Sequence, residues 1–112
     1  MKGIGGNTKA VIVTRTVTKN AIGEQVEAWT DAQTLRGWLD LASGESDRGM
    51  YYAKIQESTH YFISDYVRLK DGITAENARM LVNGKTYDIL LIDNPMELNA
   101  QLEFYLKYTG GQ

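Results

Sequence analysis

The alternation of apolar and polar residues is clearest at the C-terminal end of the chain. From Leu98 to Tyr108 every second residue is apolar or aromatic, and the residues between them are mostly polar. A period of two over this length predicts a long strand with one buried side. Asn94-Pro95 lies just before it and ends the preceding strand, because proline has no N–H to donate to a sheet.

A tight hairpin is predicted around Asn83-Gly84, which lies between two β-rich runs. Asn-Gly tolerates the positive φ angles of a type I′ turn, and the twist of that turn matches paired strands. A two-residue loop also sets the register, so that Arg79 lies opposite Asp88 and Met80 lies opposite Tyr87. The first pair carries opposite charges and the second belongs to the buried face.

Four more segments are rich in the β-branched and aromatic residues that suit a pleated surface: Ala10–Thr18, Gln25–Trp29, Thr34–Leu41 and His60–Leu69. We expect Thr30-Asp31 to break the second from the third. The pattern predicts an all-β fold, a small antiparallel β-barrel of six or so strands with one long inter-strand loop or short helix. Residues 10–108 would form the single domain, and residues 1–9 and 109–112 would be flexible tails.

Strand periodicity predicts which side chains are buried, and Gly37 indicates a bulge or bend within its strand. The predicted core contains Val11, Val13, Leu35, Leu39, Ile63, Val67, Met80, Tyr87, Ile89, Leu91, Leu102, Phe104 and Leu106.

The segment Ala42–Thr59 differs from the rest of the chain. Its first half is small and polar, and its second half carries apolar residues without strict alternation. A short helix capped by Ser46 or Asp47 would fit part of this spacing, although Gly49 weakens a helix. A long mobile loop fits equally, since connections of this length in small domains are often functional or disordered.

Composition narrows the class of protein. The 112 residues suit one domain, and the net charge of −2 gives no overall basic field for nucleic acid. The absence of cysteine excludes disulfides and thiolate chemistry. No apolar run approaches the ~20 residues of a membrane span, and the N-terminus lacks the apolar core of a signal peptide. We therefore expect a soluble protein made in the cytoplasm.

No constellation for catalysis or metal binding is present. His60 is the only histidine, and neither a paired-histidine motif nor a nucleophile motif occurs. Glu45 and Asp47 lie in a polar stretch, where carboxylates are usually solvated. Trp29 and Trp38 are expected to pack in the core or at an interface. These observations predict a protein without catalytic activity, bound metal or cofactor.

The order of short motifs resembles the head–tail joining proteins of tailed phages and prophages, the head-closure or "stopper" family. The resemblance covers about residues 10–107. Lys85 stands where arginine is common, and Asp65 interrupts a strand that is usually more basic. The matching motifs, in order, are Val11-Ile12-Val13-Thr14-Arg15, residues 23–30, Trp38-Leu39 before Ser43-Gly44-Glu45, Ser58-Thr59-His60, Tyr66-Val67-Arg68, Asp71-Gly72-Ile73-Thr74, residues 82–89 and Asn94-Pro95.

This resemblance implies a structural role in the virion neck. Copies of such a protein form a ring below the portal and its adaptor, retain the packaged double-stranded DNA that passes through the ring, and dock the tail. The protein would be made in the cytoplasm of the bacterial host. In this family a long inter-strand loop can reach into the channel. The residues of the matching loop are Ser43, Gly44, Glu45, Ser46, Asp47, Arg48, Gly49, Met50 and Lys54.

Two other function classes remain open. A small nucleic-acid-binding barrel of OB or SH3-like type would need a basic, aromatic surface. An enzyme is disfavoured, because no nucleophile–base arrangement is present. The basic residues that could serve the nucleic-acid alternative are Arg36, Arg68, Lys70, Arg79 and Lys85.

Overall fold

A computed structural model describes residues 3–41 and 57–110 of the chain. These residues form six strands and two single turns of 3-10 helix. The elements are β1 (Thr8–Lys19), β2 (Gln25–Leu41), β3 (His60–Asp65), η1 (Ala75–Asn77), β4 (Ala78–Val82), β5 (Lys85–Asp93), η2 (Pro95–Glu97) and β6 (Gln101–Tyr108). The prediction of an all-β fold with about six antiparallel strands is confirmed.

The six strands form one antiparallel sheet in the order β1-β2-β3-β6-β5-β4. Strand β4 pairs in turn with β1, so the sheet closes on itself as in a small barrel. Every strand therefore has a neighbour on both sides along its central part, and closure removes the exposed edges of a flat sheet.

The predicted hairpin joins β4 to β5. Asn83 and Gly84 have φ angles of 54° and 77°, as a type I′ turn requires. The register is the predicted one, with Arg79 opposite Asp88 and Met80 opposite Tyr87. Arg79 and Asp88 form an ion pair of 3.2 Å on the outer face.

The core lies inside the closed sheet, where Phe62 and Phe104 pack with their ring centroids 6.3 Å apart. Most of the predicted core residues are buried, and Leu39 packs against the core while partly exposed. Ser64 is also buried, and its hydroxyl donates to the carbonyl of Asp65. The buried apolar side chains are Ala10, Ile12, Val13, Leu35, Phe62, Ala78, Met80, Val82, Tyr87, Ile89, Leu102, Phe104 and Leu106.

Four core predictions are wrong. In β1 Ile12 points inward and Val11 lies half-buried on the outer face. The prediction failed because both faces of this strand are apolar, so alternation does not show which face is buried. In β3 Phe62 points inward and Ile63 outward. The other two are Leu91, which is half-buried beyond a register shift in β5, and Val67, which is 38% exposed after β3 has ended.

Strand β2 is continuous through Thr30-Asp31, contrary to the predicted break. Ile12 pairs with Gln33 and Val13 with Asp31, so Ala32 is the extra residue of a β-bulge. The bulge therefore lies at Ala32, whereas Gly37, the predicted bulge, pairs in regular register with Thr8 and Ser64.

From Arg15 onward β1 pairs only with β2, and the two strands extend past the closed sheet. We call residues 15–30 the arm. Its side chains are exposed, apart from the half-buried Trp29. The carboxamide oxygen of Asn20 accepts bonds from the backbone N–H groups of Ile22 and Glu24 and so shapes the turn at the tip. The described structure is accordingly elongated, with extents of 52 × 31 × 26 Å.

Strand directions give the closed sheet two different ends. The arm leaves from the end at which β3 and β5 finish, which we call the arm end. Leu41 and His60, between which the segment 42–59 is inserted, pair with each other at the other end, together with the Asn83-Gly84 turn. We call this the loop end.

Candidate assembly surfaces

The predicted channel-loop residues, Ser43 to Met50 and Lys54, lie outside the described residues, as does the predicted helix start at Ser46 or Asp47. The structure does place the two points between which this segment is connected. Leu41 is 73% exposed at the end of β2, and it pairs with His60 at the start of β3. The segment therefore leaves from and returns to adjacent strands at the loop end.

Several aromatic rings lie around His60, where the chain re-enters the sheet. The His60 ring packs edge-on against Tyr87 at 5.0 Å and lies 6.5 Å from Tyr108, and the Lys85 ammonium sits 5.7 Å from the Tyr108 ring centroid. Burial, and then the positive charge of Lys85, lower the pKa of His60 below 6.5. The imidazole is therefore neutral at physiological pH. The aromatic rings pack against one another at the loop end.

The arm presents apolar side chains to solvent at the opposite end. Val17 and Val26 are 48% and 41% exposed, and Ile22 at the tip is 79% exposed. An isolated two-stranded hairpin is marginally stable in water, and its outer strand edges can pair with another chain. The arm is therefore a candidate contact with a partner. In the sequence, the feature that indicates this contact is Ile22, an isoleucine in an otherwise small and polar turn.

The base of the arm is fastened to β4 by Trp29. The guanidinium carbon of Arg79 lies 4.2 Å from the centre of the Trp29 ring, and Arg79 also pairs with Asp88. Arg15 and Glu27 form a second exposed ion pair of 3.2 Å across the arm. These residues line an open cleft of about 330 Å³. The arrangement holds the arm against the sheet. Neither tryptophan packs in the core, since Trp29 is half-buried here and Trp38 is 46% exposed.

The N-terminal residues lie across β2 and β3. The backbone N–H groups of Ile4 and Gly5 donate to the carboxylate of Asp65 at 2.6 and 3.0 Å. The indole N–H of Trp38 donates to the carbonyl of Ile4. The pKa of Asp65 is lowered by the two backbone hydrogen bonds, that to Ile4 first. Within the segment expected to be a tail, residues 3–7 thus have defined contacts, and Thr8 and Lys9 belong to β1.

The basic residues considered for nucleic acid lie in different places. Arg79 is engaged with Asp88 and Trp29, Lys85 stands at the loop end, and Arg36 is on the outer face of β2. Backbone atoms of Arg68 and Lys70 are bound by the Gln33 side chain near the arm end. Lys85 at the loop end is therefore separated from Arg68 and Lys70 near the arm end.

Residues 3–41 and 57–110 hold no cluster of three or more metal-ligating side chains. None of the helices in these ranges is long and apolar enough to cross a membrane.

Two solved structures share this fold over nearly the whole chain. The solution structure of protein SF1141 from Shigella flexneri 2a, a structural genomics target, aligns with a TM-score of 0.71 and 21% identity over 100% of both chains. A chain in the virion of a native gene transfer agent particle aligns with a TM-score of 0.58 and 12% identity, over 92% of this chain and 94% of that chain. No family model and no curated protein matches the sequence. At these identities the similarities establish the fold.

Proposed function

We propose that this chain is a non-catalytic structural subunit of a phage or prophage neck. It would act as a head-closure connector whose copies form a ring below the portal and adaptor, retain packaged DNA and dock the tail. The observation that carries this proposal is the end-to-end fold similarity to a chain of a gene transfer agent virion. The order of motifs along residues 10–107 points to the same class of protein.

In this role the two ends of the molecule would contact different partners. The segment that contains Ser43 to Lys54 is inserted at the loop end, and the arm projects from the arm end. A connector must contact one set of proteins above and another below. We assign the inserted segment to the DNA channel and the apolar tip around Ile22 to an axial partner.

The charges of the inserted segment bear on how it would act on DNA. In a ring, symmetry would repeat Glu45, Asp47, Arg48 and Lys54 once for each copy. Carboxylates would repel phosphates and favour sliding, whereas Arg48 and Lys54 would hold the backbone. We propose that the segment retains DNA by narrowing the channel.

The decisive experiment removes the gene from the parent phage or prophage and supplies variants in trans. Loss of the protein should give DNA-filled heads that leak and lack tails, visible by electron microscopy and by nuclease sensitivity of the packaged DNA. A chain lacking residues 46–50 should join particles but fail to hold DNA. Replacing residues 46–50 with a Gly/Ser stretch of equal length keeps the length of the segment but removes Arg48, so it separates the effect of length from that of this cation.

Tailed, infectious particles made without the protein would contradict the proposal. If heads with the shortened segment stay full, the segment is not the closure device, and the proposed neck function still stands. Tight, salt-sensitive binding of the isolated chain to DNA in a gel-shift at two salt concentrations would instead favour the nucleic-acid-binding class.

A further inference from the structure

We propose that copies of this chain contact each other side by side, with the Lys9–Arg36 pair of one copy against the Asp93–Glu103 pair of its neighbour. The proposal rests on the ring assembly proposed above and names the surface that would build it. It is argued from two cross-strand pairs of like charge on opposite sides of the closed sheet.

The first pair is cationic. Lys9 on β1 lies directly opposite Arg36 on β2, and both side chains are exposed on the outer face. Within the described ranges neither residue forms an ion pair, since the two ion pairs there are Arg15–Glu27 and Arg79–Asp88. Like charges directly opposite each other destabilise a sheet. A neighbouring pair of carboxylates would relieve that repulsion.

The second pair is anionic and has the same cross-strand geometry. Asp93 on β5 lies directly opposite Glu103 on β6, also on the outer face. The Glu103 carboxylate accepts hydrogen bonds from Gln101 Nε2 at 2.6 Å and from the Tyr105 hydroxyl at 2.8 Å. These bonds hold the carboxylate in a fixed position on the surface. The chain therefore carries two complementary like-charge pairs.

Their positions in the closed sheet decide the kind of assembly. In the order β1-β2-β3-β6-β5-β4, β6 lies across the sheet from β1, and β5 lies across from β2. The cationic strands therefore face away from the anionic strands. A contact between different surfaces on opposite sides of a subunit is head-to-tail, and such contacts close into rings when the rotation allows. Complementary charge also selects the register of approach.

Half-buried apolar side chains accompany each charged pair. Val11 and Leu81 lie opposite each other on the outer face of β1 and β4. Leu91 and Tyr105 lie opposite each other on the outer face of β5 and β6, two residues from Asp93 and Glu103. Each surface thus combines apolar area with charge, as a protein interface does.

Charge reversal tests the contact. One variant combines Lys9→Glu with Arg36→Glu, and the other combines Asp93→Lys with Glu103→Lys. Each should lose self-association alone, because it presents the same charge on both surfaces. An equimolar mixture should regain it, since every contact between the two variants is complementary. Lys19→Glu with Lys70→Glu is the control matched to the first variant, with the same change in net charge away from the contact, and should behave like the unaltered chain.

Cross-linking measures association even when it is weak, because the chain contains no cysteine of its own. Thr34→Cys lies two residues from Arg36, and Ile63→Cys lies opposite Glu103. In a concentrated mixture a short bismaleimide should join these two variants, while neither alone should give a homodimer. Pairing Ile63→Cys with Ile22→Cys at the arm tip is the background control. Urea unfolding midpoints verify that all variants fold.

The proposal is supported if the yield of heterodimer exceeds that of the control, is lost in each charge-reversed variant and is restored in their mixture. Yield at the control level, homodimers from a single variant, or no rescue by the mixture would overturn it. These measurements use the purified chain, so their failure leaves the neck function standing. Conversely, failure of the genetic test would overturn the neck function, while the cross-linking result would still decide whether this contact forms.

Discussion

Gly37 on β2 approaches the backbone of Ile63 on β3 too closely for any side chain. A Cβ placed on Gly37 would lie 2.1 Å from the carbonyl oxygen of Ile63, although Gly37 pairs in regular register. The backbone of Gly6 lies against Gly37 as well. The glycine is therefore required by space at this point of the closed sheet, where two neighbouring segments converge.

We expect Gly37→Ala to lower the free energy of unfolding by about 1–3 kcal/mol, as overpacking against backbone typically does. Urea denaturation measures the change. Thr34→Ala is the matched control, because Thr34 is exposed on the same strand, and it should stay within about 0.5 kcal/mol of the unaltered chain. Equal stabilities for the two variants would show that β2 and β3 can move apart.

Truncating Phe104 to alanine should cost roughly 3–5 kcal/mol, because the side chain is fully buried against Phe62. The measurement is again the urea midpoint, at constant slope. Lys107→Ala, on the outer face of the same strand, provides the comparison and should have little effect. A loss below about 1 kcal/mol for Phe104→Ala would mean that the inward face of β6 is assigned wrongly.

Acid should release the N-terminal segment from β3. The pKa of Asp65 is lowered from 3.8 in the folded protein, so the bonds from Ile4 and Gly5 contribute fully above about pH 3.8. That contribution is lost as the pH falls through the lower, folded value. NMR should show the amide protons of Ile4 and Gly5 losing their hydrogen-bonded shifts in this range.

Asp65→Asn provides the control for this titration. The amide keeps the shape of the side chain but lacks its charge, so the two amide protons should exchange faster at neutral pH and show no step on acidification. A step of the same size in Asp65→Asn would contradict the assignment of the transition to this carboxylate.

The His60 ring should titrate below pH 6.5, because burial first and then Lys85 disfavour the imidazolium. A lowered folded pKa means that the unfolded chain binds the proton more readily, so stability should fall as the pH drops below 6.5. NMR titration of the ring protons measures the value. Lys85→Gln should raise the pKa of His60 without restoring 6.5, since burial remains. An unchanged pKa would show that the Lys85 charge is fully screened.

The sequence predicted those parts of the fold that a single short motif or a clear alternation determines. Asn83-Gly84 required a type I′ turn, and that turn alone set the opposition of Arg79 and Asp88. Thr74 and Asn77 form a reciprocal cap around the single 3-10 turn η1. In β6 Leu102, Phe104 and Leu106 alternate with polar residues and are buried as expected, although the strand starts at Gln101 and leaves Leu98 exposed.

Prediction failed where the two faces of a strand carried similar residues. Val11, Ile12 and Val13 are all apolar, and the bulge at Ala32 shifts the register between Ile12 and Val13. In β3 the inward Ser64 is polar and the outward Ile63 is apolar, which reverses the usual pattern. The opposed pairs Lys9–Arg36 and Asp93–Glu103 depend on pairing between strands, which a single sequence does not encode locally.

The arm and the inserted segment leave the closed sheet at opposite ends, and this separation gives every assembly of the chain a direction. A ring built by side-by-side contacts would have an upper surface chemically unlike its lower surface, so it could not be turned over and still fit the same partners. Components could then be added only in one sequence, with the first-bound partner deciding which surface stays open for the next. Orientation in the finished particle would thus be encoded in each subunit before any partner arrives.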